Sequence, residues 1–95
     1  MNTQYKVLLA DAQFLIRQGL RALIEKASNA TVSAEVTNEE ELFRHLEVAR
    51  EQVDLLIIDY KQPNFFSSHT VSKVKQRFPQ LPVLIISSDE DKRDI

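Results

Sequence analysis

Asp11 and Asp59 each stand directly after a run of large apolar residues, Val7-Leu8-Leu9-Ala10 before the first and Leu55-Leu56-Ile57-Ile58 before the second. Runs this uniform do not alternate, so they suit strands covered on both faces, as in a parallel sheet. A third run, Pro82-Val83-Leu84-Ile85-Ile86, ends in Ser87. Parallel strands bring all their carboxyl ends to one rim, where open α/β folds bind ligands, and neighbours lie about 4.8 Å apart. Asp11, Asp59 and Ser87 would then converge. Two carboxylates held together repel unless a proton or a cation lies between them, and hard oxygen ligands favour Mg2+. A carboxylate beside such an ion can attack phosphorus to give an aspartyl phosphate, and the Ser87 hydroxyl could hydrogen-bond the phosphoryl oxygens. Asp59 is the first candidate for that chemistry. Taken singly, each residue also has a plainer reading: Asp59 opens the turn Tyr60-Lys61-Gln62-Pro63-Asn64, Asp11 caps a helix, Ser87 sits in a turn.

The elements that must carry these residues follow from periodicity. Tyr5 to Ala10 is a buried strand. Ile16, Leu20, Leu23, Ile24 and Ala27 then recur at helix spacing, and Ser28-Asn29 ends that helix. Gly19 inside it costs about 1 kcal/mol against Ala and so marks a close packing contact. In Thr31 to Val36, Val32, Ala34 and Val36 alternate with polar residues, the pattern of a strand with one wet face at the edge of the sheet. Thr37-Asn38-Glu39-Glu40 has capping-box spacing before a helix that buries Leu42, Phe43, Leu46 and Ala49. After the central strand, Ser67 or Ser68 caps a third helix carrying Val71, Val74 and Phe78 inward until Pro79 stops it. Ser88-Asp89-Glu90-Asp91 looks like a fourth helix start. Strands alternating with helices give a doubly wound parallel α/β sheet.

Composition narrows the function. At 95 residues there is one domain, residues 1–95, large enough for a modest core. A net charge of -2 provides no footprint for nucleic acid or an anionic membrane. No Cys is present, which removes thiolate metal sites and thiol nucleophiles, and a single glycine rules out a Gly-rich phosphate loop. Without a signal-peptide pattern or a membrane-length apolar run, a cytoplasmic location is expected. His45 and His69 read as solvated surface residues, Phe65-Phe66 as packing, and Glu39-Glu40-Glu41 as a favourable acidic first turn. Lys73, Lys75 and Arg77 suit the end of the third helix.

The segments Val7-Leu8-Leu9-Ala10-Asp11 and Leu15-Ile16-Arg17-Gln18-Gly19-Leu20-Arg21-Ala22-Leu23 resemble the opening of response-regulator receiver domains, closest to those joined to a LuxR-type helix-turn-helix. Val53 to Asp59 with Pro63 resembles that family's phosphoacceptor segment, and Pro82 to Ser87 its fourth strand. The resemblance implies a flavodoxin-like, CheY-like sheet in the order 2-1-3-4-5. It also implies Asp59 as phosphoacceptor, Asp11 as an acid near Mg2+, the Lys61 backbone carbonyl as a metal ligand and Ser87 as the phosphate-contacting hydroxyl. The implied partners are a sensor histidine kinase or phosphotransfer protein, with DNA reached only through an output domain absent from this chain. Two departures stand out. The family usually has a second acid after its first strand, where this chain has Ala12; Mg2+ would then bind weakly or not at all, leaving a degenerate docking or dimerisation module. The chain also stops before the family's fifth strand and last helix, so the edge of Pro82 to Ile86 should stay uncovered; the fragment should form a homodimer, by edge pairing or exchanged elements, or else be only marginally stable. Enzyme readings fare worse: a haloacid-dehalogenase-like phosphatase would want an acid where Lys61 stands, and a dinucleotide enzyme needs glycines.

Overall fold

The computed structural model describes residues 4–27, 29–59 and 66–86. The chain runs through β1 (Tyr5–Ala10), α1 (Phe14–Lys26), β2 (Ala30–Val36), α2 (Glu39–Ala49), a 3-10 turn (Arg50–Gln52), β3 (Leu55–Asp59), α3 (Ser68–Arg77) and β4 (Val83–Ile86). All neighbouring strands pair in parallel, in the order β2-β1-β3-β4. Among the described residues, the alternating-pattern strand is at one edge of the sheet, as the sequence predicts, and the strand from Val83 is at the other.

The two apolar faces of β1 and β3 build two cores. Leu8, Ala10, Leu56 and Ile58 face Leu42, Phe43 and Leu46 of α2 and Val71 and Val74 of α3, with Phe66 fully buried among them. Val7, Leu9 and Ile57 face the other way, towards Leu20 and Ile24 of α1. Phe66 is therefore a packing residue, while Phe65 lies outside the described residues. Asp54 ties the strands together at their start: its backbone N–H donates to the Lys6 carbonyl (2.7 Å), and its Oδ2 accepts from the Lys6 N–H (2.8 Å).

Several local expectations are corrected. The α2 cap is Asn38, one residue later than the Thr37 spacing suggests. Its side chain accepts from the Glu41 N–H (2.9 Å), and Glu41 Oε1 accepts from the Thr37 N–H (2.8 Å). For α3 the cap is Ser67, one of the two serines expected there, in a reciprocal box with Thr70. Glu39 does more than favour a helix dipole. Thr70 Oγ1 and Lys73 Nζ both donate to it, binding α2 to α3, and the Lys73 contact foremost holds its carboxyl below the ordinary range. Arg77 likewise pairs with Glu47 of α2 and lies over the Phe43 ring. His69 is exposed as expected, whereas His45 is half-buried with Nε2 enclosed and unpartnered.

The largest correction concerns β2. Val7 pairs with Val32, but Leu8 pairs with Ala34, so Ser33 is an extra residue in the ladder. The bulge switches faces within the strand. Val32 packs in the α1-side core, whereas Ala34 and Val36 join the α2 side. Glu35 consequently lies over α1 rather than on a wet face. Burial raises its pKa, but hydrogen bonds from Arg17 and Arg21 outweigh that and hold the carboxyl below its ordinary value.

α1 itself buries no residue fully; Ile16 is 40% and Leu23 67% exposed, so Leu20 and Ile24 alone keep the expected stripe against the sheet. Gly19 is not at a close contact, because a Cβ there would meet nothing within 4 Å. Its backbone is helical with no positive φ. Gly19→Ala should therefore stabilise the chain by about 0.5–1 kcal/mol through lost unfolded-state entropy. Thermal unfolding should register that as a rise in Tm of roughly 2–8 °C; a fall would mean that something does cover position 19.

Candidate functional site

The register of β1 against β3 places the two candidate acids. Ala10 is opposite Ile58, so Asp11 and Asp59 occupy the next rung at the carboxyl ends of the two central strands. Leu9 and Ile57 share the α1-side core, and by the two-residue strand period the next positions on that side are Asp11 and Asp59. Both acids are buried, with 1% and 4% exposure. For the two acids, this is the convergence that the apolar runs predict. On the other flank of β3, Ile86 is in register with Asp59. Ser87, the residue after it, and Lys61 lie outside the described residues.

Asp11 is held from several directions. Its N–H donates to the Val36 carbonyl of β2 (3.1 Å), and its own carbonyl accepts from Arg17 Nη1 of α1 (2.8 Å). Oδ1 accepts from the Gln13 N–H (2.8 Å), forming a turn that leads into α1, whose N-cap is Gln13. Asp11 is thus not the helix cap of the plainer reading, because Gln13 holds that position; the carboxylate oxygen Oδ1 of Asp11 instead closes the turn before the helix. The other, Oδ2, is buried with no hydrogen-bond partner of normal geometry.

The electrostatics follow from that arrangement. Burial pushes the Asp11 pKa up, the Gln13 N–H pulls it down, and the adjacent Asp59 raises it again, as a like charge and as a hydrogen-bonding neighbour for the protonated form. Arg17 offsets part of this. Two carboxyls in this relation hold a proton between them or a cation in its place.

A hard cation fits the donors present. An orphaned buried carboxylate oxygen and a second carboxylate beside it are oxygen ligands of the type that Mg2+ takes, with water completing the shell. Ala12 adds no side-chain oxygen, and among the described residues no group of three or more His, Cys, Asp or Glu is arranged to hold a metal. Nor is any helix among them long and apolar enough to cross a membrane. A shallow groove of about 360 Å³ lies between β2 and α2, lined by Glu35, Val36, Glu41, Arg44, His45 and Val48. It does not include either acid.

Comparison with known proteins gives a consistent result. Residues 7–95 match the family described as response regulator receiver domain. The transcriptional regulatory protein YhcZ of Bacillus subtilis, itself uncharacterized, is 24% identical over 95% of this chain and 41% of its own length. The fold matches RcsB from Salmonella enterica serovar Typhimurium, solved on a promoter in the presence of phosphomimetic BeF3-. Its TM-score is 0.80 at 18% identity, over 93% of this chain and 44% of that one. It also matches a LuxR-family two-component response regulator from Aurantimonas (TM-score 0.79, 22% identity, 90% and 59% covered). The chain spans less than half the length of the curated relatives it matches, 8% and 41%.

The raised Asp11 value fixes a pH dependence. The folded chain keeps a proton that the unfolded chain releases above the ordinary value of 3.8. Stability from this group is therefore full below that value and lost as pH rises through the folded one. Asp11→Asn, which replaces the orphan oxygen by a donor, should be more stable than the parent by about 1 kcal/mol near pH 7. The difference should close towards about pH 3, where the parent's Asp11 is protonated in both states. Urea unfolding at the two pH values measures it.

Proposed function

We propose, from the premise that the chain belongs to the response regulator receiver domain family, that it accepts a phosphoryl group on Asp59 and thereby controls a DNA-binding transcriptional output. The observation that carries this reading is the burial of Asp11 and Asp59 side by side where the two central strands end. An Asp59 carboxylate oxygen attacks phosphorus; the bond from phosphorus to the donor breaks, and the donor leaves with its electron pair. The donor is the phosphohistidine of a sensor histidine kinase or phosphotransfer protein, which places the reaction in the cytoplasm. Asp11, Asp59 and the Lys61 backbone carbonyl would hold Mg2+, and the Ser87 hydroxyl would hydrogen-bond the transferred group. When bound, the ion supplies charge neutralisation to the phosphoryl oxygens. Asp11, kept in place by Gln13, Val36 and Arg17, would offer that ion its unpartnered Oδ2. The output would be a LuxR-type DNA-binding domain; RcsB, bound to its promoter with a phosphomimetic, offers the parallel.

A second reading rests on Ala12. With one oxygen fewer at the site, the domain would serve as a phosphorylation-independent dimerisation or docking module. In either case a second copy of this chain is the expected partner. The outer edge of β4 pairs with no other described strand, and Leu84 and Ile85 are 50% and 40% exposed.

Incubation with Mg2+ and a small phosphodonor should give a phosphate adduct that maps to Asp59 and disappears in Asp59→Asn. Absence of any adduct would leave the docking reading standing. Ala12→Asp should tighten Mg2+ binding by about 10-fold, given that even second-shell changes shift metal affinity by 10–100-fold; unchanged affinity would remove position 12 from the site. Sedimentation should show a concentration-dependent dimer that Leu84→Lys dissociates. A monomer at all concentrations would contradict the edge-pairing part.

A further inference from the structure

We infer that Arg17 is a positioning residue for the acid pair: braced by Glu35, its guanidinium holds the Asp11 main chain so that the Asp11 carboxyl stays beside that of Asp59. This rests on the use of the pair proposed above, but its geometry stands on its own. Arg17 Nη1 donates to the Asp11 carbonyl (2.8 Å) and Nε to Glu35 Oε1 (2.9 Å), with the side chain only 13% exposed. Glu35 Oε2 accepts from Arg21 Nη1 (2.5 Å), so the brace is itself anchored at a second point on α1. A planar guanidinium can make both contacts at once in fixed directions, whereas an ammonium offers a point charge. One side chain thus connects the first helix, the edge strand and the residue whose second oxygen faces the site. The Ser33 bulge is what turns Glu35 onto the α1 side, where Arg17 can reach it.

Three roles for Arg17 make different forecasts. As a charge alone, it repels a cation at the pair, and its removal would tighten Mg2+ binding. As a structural link alone, its removal would lower stability and leave the site's properties intact. As a positioning residue, its removal loosens Asp11 and weakens Mg2+ binding in molecules that remain folded.

The test uses the 95-residue chain and its Arg17→Gln and Arg17→Lys variants. The first readout needs no metal: exchange of the Gln13 amide, which donates to Asp11 Oδ1, followed beside the sheet amides of Leu8 and Ile57. Arg17→Gln should speed Gln13 exchange by about 10-fold while the sheet amides keep their protection, as local opening separate from global unfolding does. The second readout is Mg2+ titration by calorimetry, where Kd should rise by about 10-fold, the lower end of the range for outer-shell partners of metal ligands. Arg17→Lys should restore neither. Should Arg17→Gln fail to fold, Glu35→Gln, which releases the brace and keeps the guanidinium, gives the same readouts with the same expected directions. Unchanged Gln13 exchange overturns the inference, as does Mg2+ binding that is unchanged or tighter. A parent chain that binds no Mg2+ counts against the cation part of the proposed function, and Gln13 exchange then decides the role of Arg17 alone.

Discussion

The register of β1 against β3 is the constraint on which the rest depends. It is set at the strand starts, where Asp54 exchanges hydrogen bonds with both sides of the Lys6 backbone. It is kept by two apolar faces packing at once. Leu8 and Ala10 with Leu56 and Ile58 go to one core, and Leu9 with Ile57 to the other. A slip of one residue would send each of these side chains to the wrong layer. Asp11 and Asp59 meet because both apolar runs stop on the same rung. The meeting of the two acids is therefore a by-product of core packing, fixed by apolar groups below the rim.

This division explains what the sequence made legible. Buried parallel strands write themselves as unbroken apolar runs, so β1, β3 and the meeting of the two acids could be read directly, and alternation marked β2 as an edge. The equally apolar run of β4 forms its strand but is not covered on both faces: none of its four residues is buried. Features that depend on a single extra residue or on distant partners could not. Alternation over Thr31 to Val36 implies one polar face, but the bulge at Ser33 splits the strand between both cores. Periodicity carries no mark of such an insertion, because the same residues would alternate equally well without it. Arg17 was just as silent. It lies between the apolar positions of the first helix, and only the fold brings Glu35, 18 positions later, within reach of it. Gly19 misled in the opposite sense: its cost in a helix suggested a tight contact that the packing does not contain.

The charges around Asp11 show why position 12 has such weight. A buried pair of carboxylates is intrinsically unfavourable, because burial and mutual repulsion both resist the second negative charge. The fold supplies partial relief through the Gln13 N–H and the nearby Arg17, while leaving one Asp11 oxygen without a partner. Complete satisfaction would have produced a stable structural corner with no affinity for anything. Full exposure would have let water screen the pair. The observed intermediate state, buried yet one partner short, is the condition under which an added cation or proton gains the most. A third carboxylate would deepen that need and strengthen the attraction for a cation, whereas alanine leaves the need at the level set by two acids and one arginine. The balance at this rim is thus one between oxygen donors and fixed positive charge, and Arg17 is on both sides of it: its charge would oppose a cation, while its hydrogen bond to the Asp11 carbonyl holds one of the two acids in place.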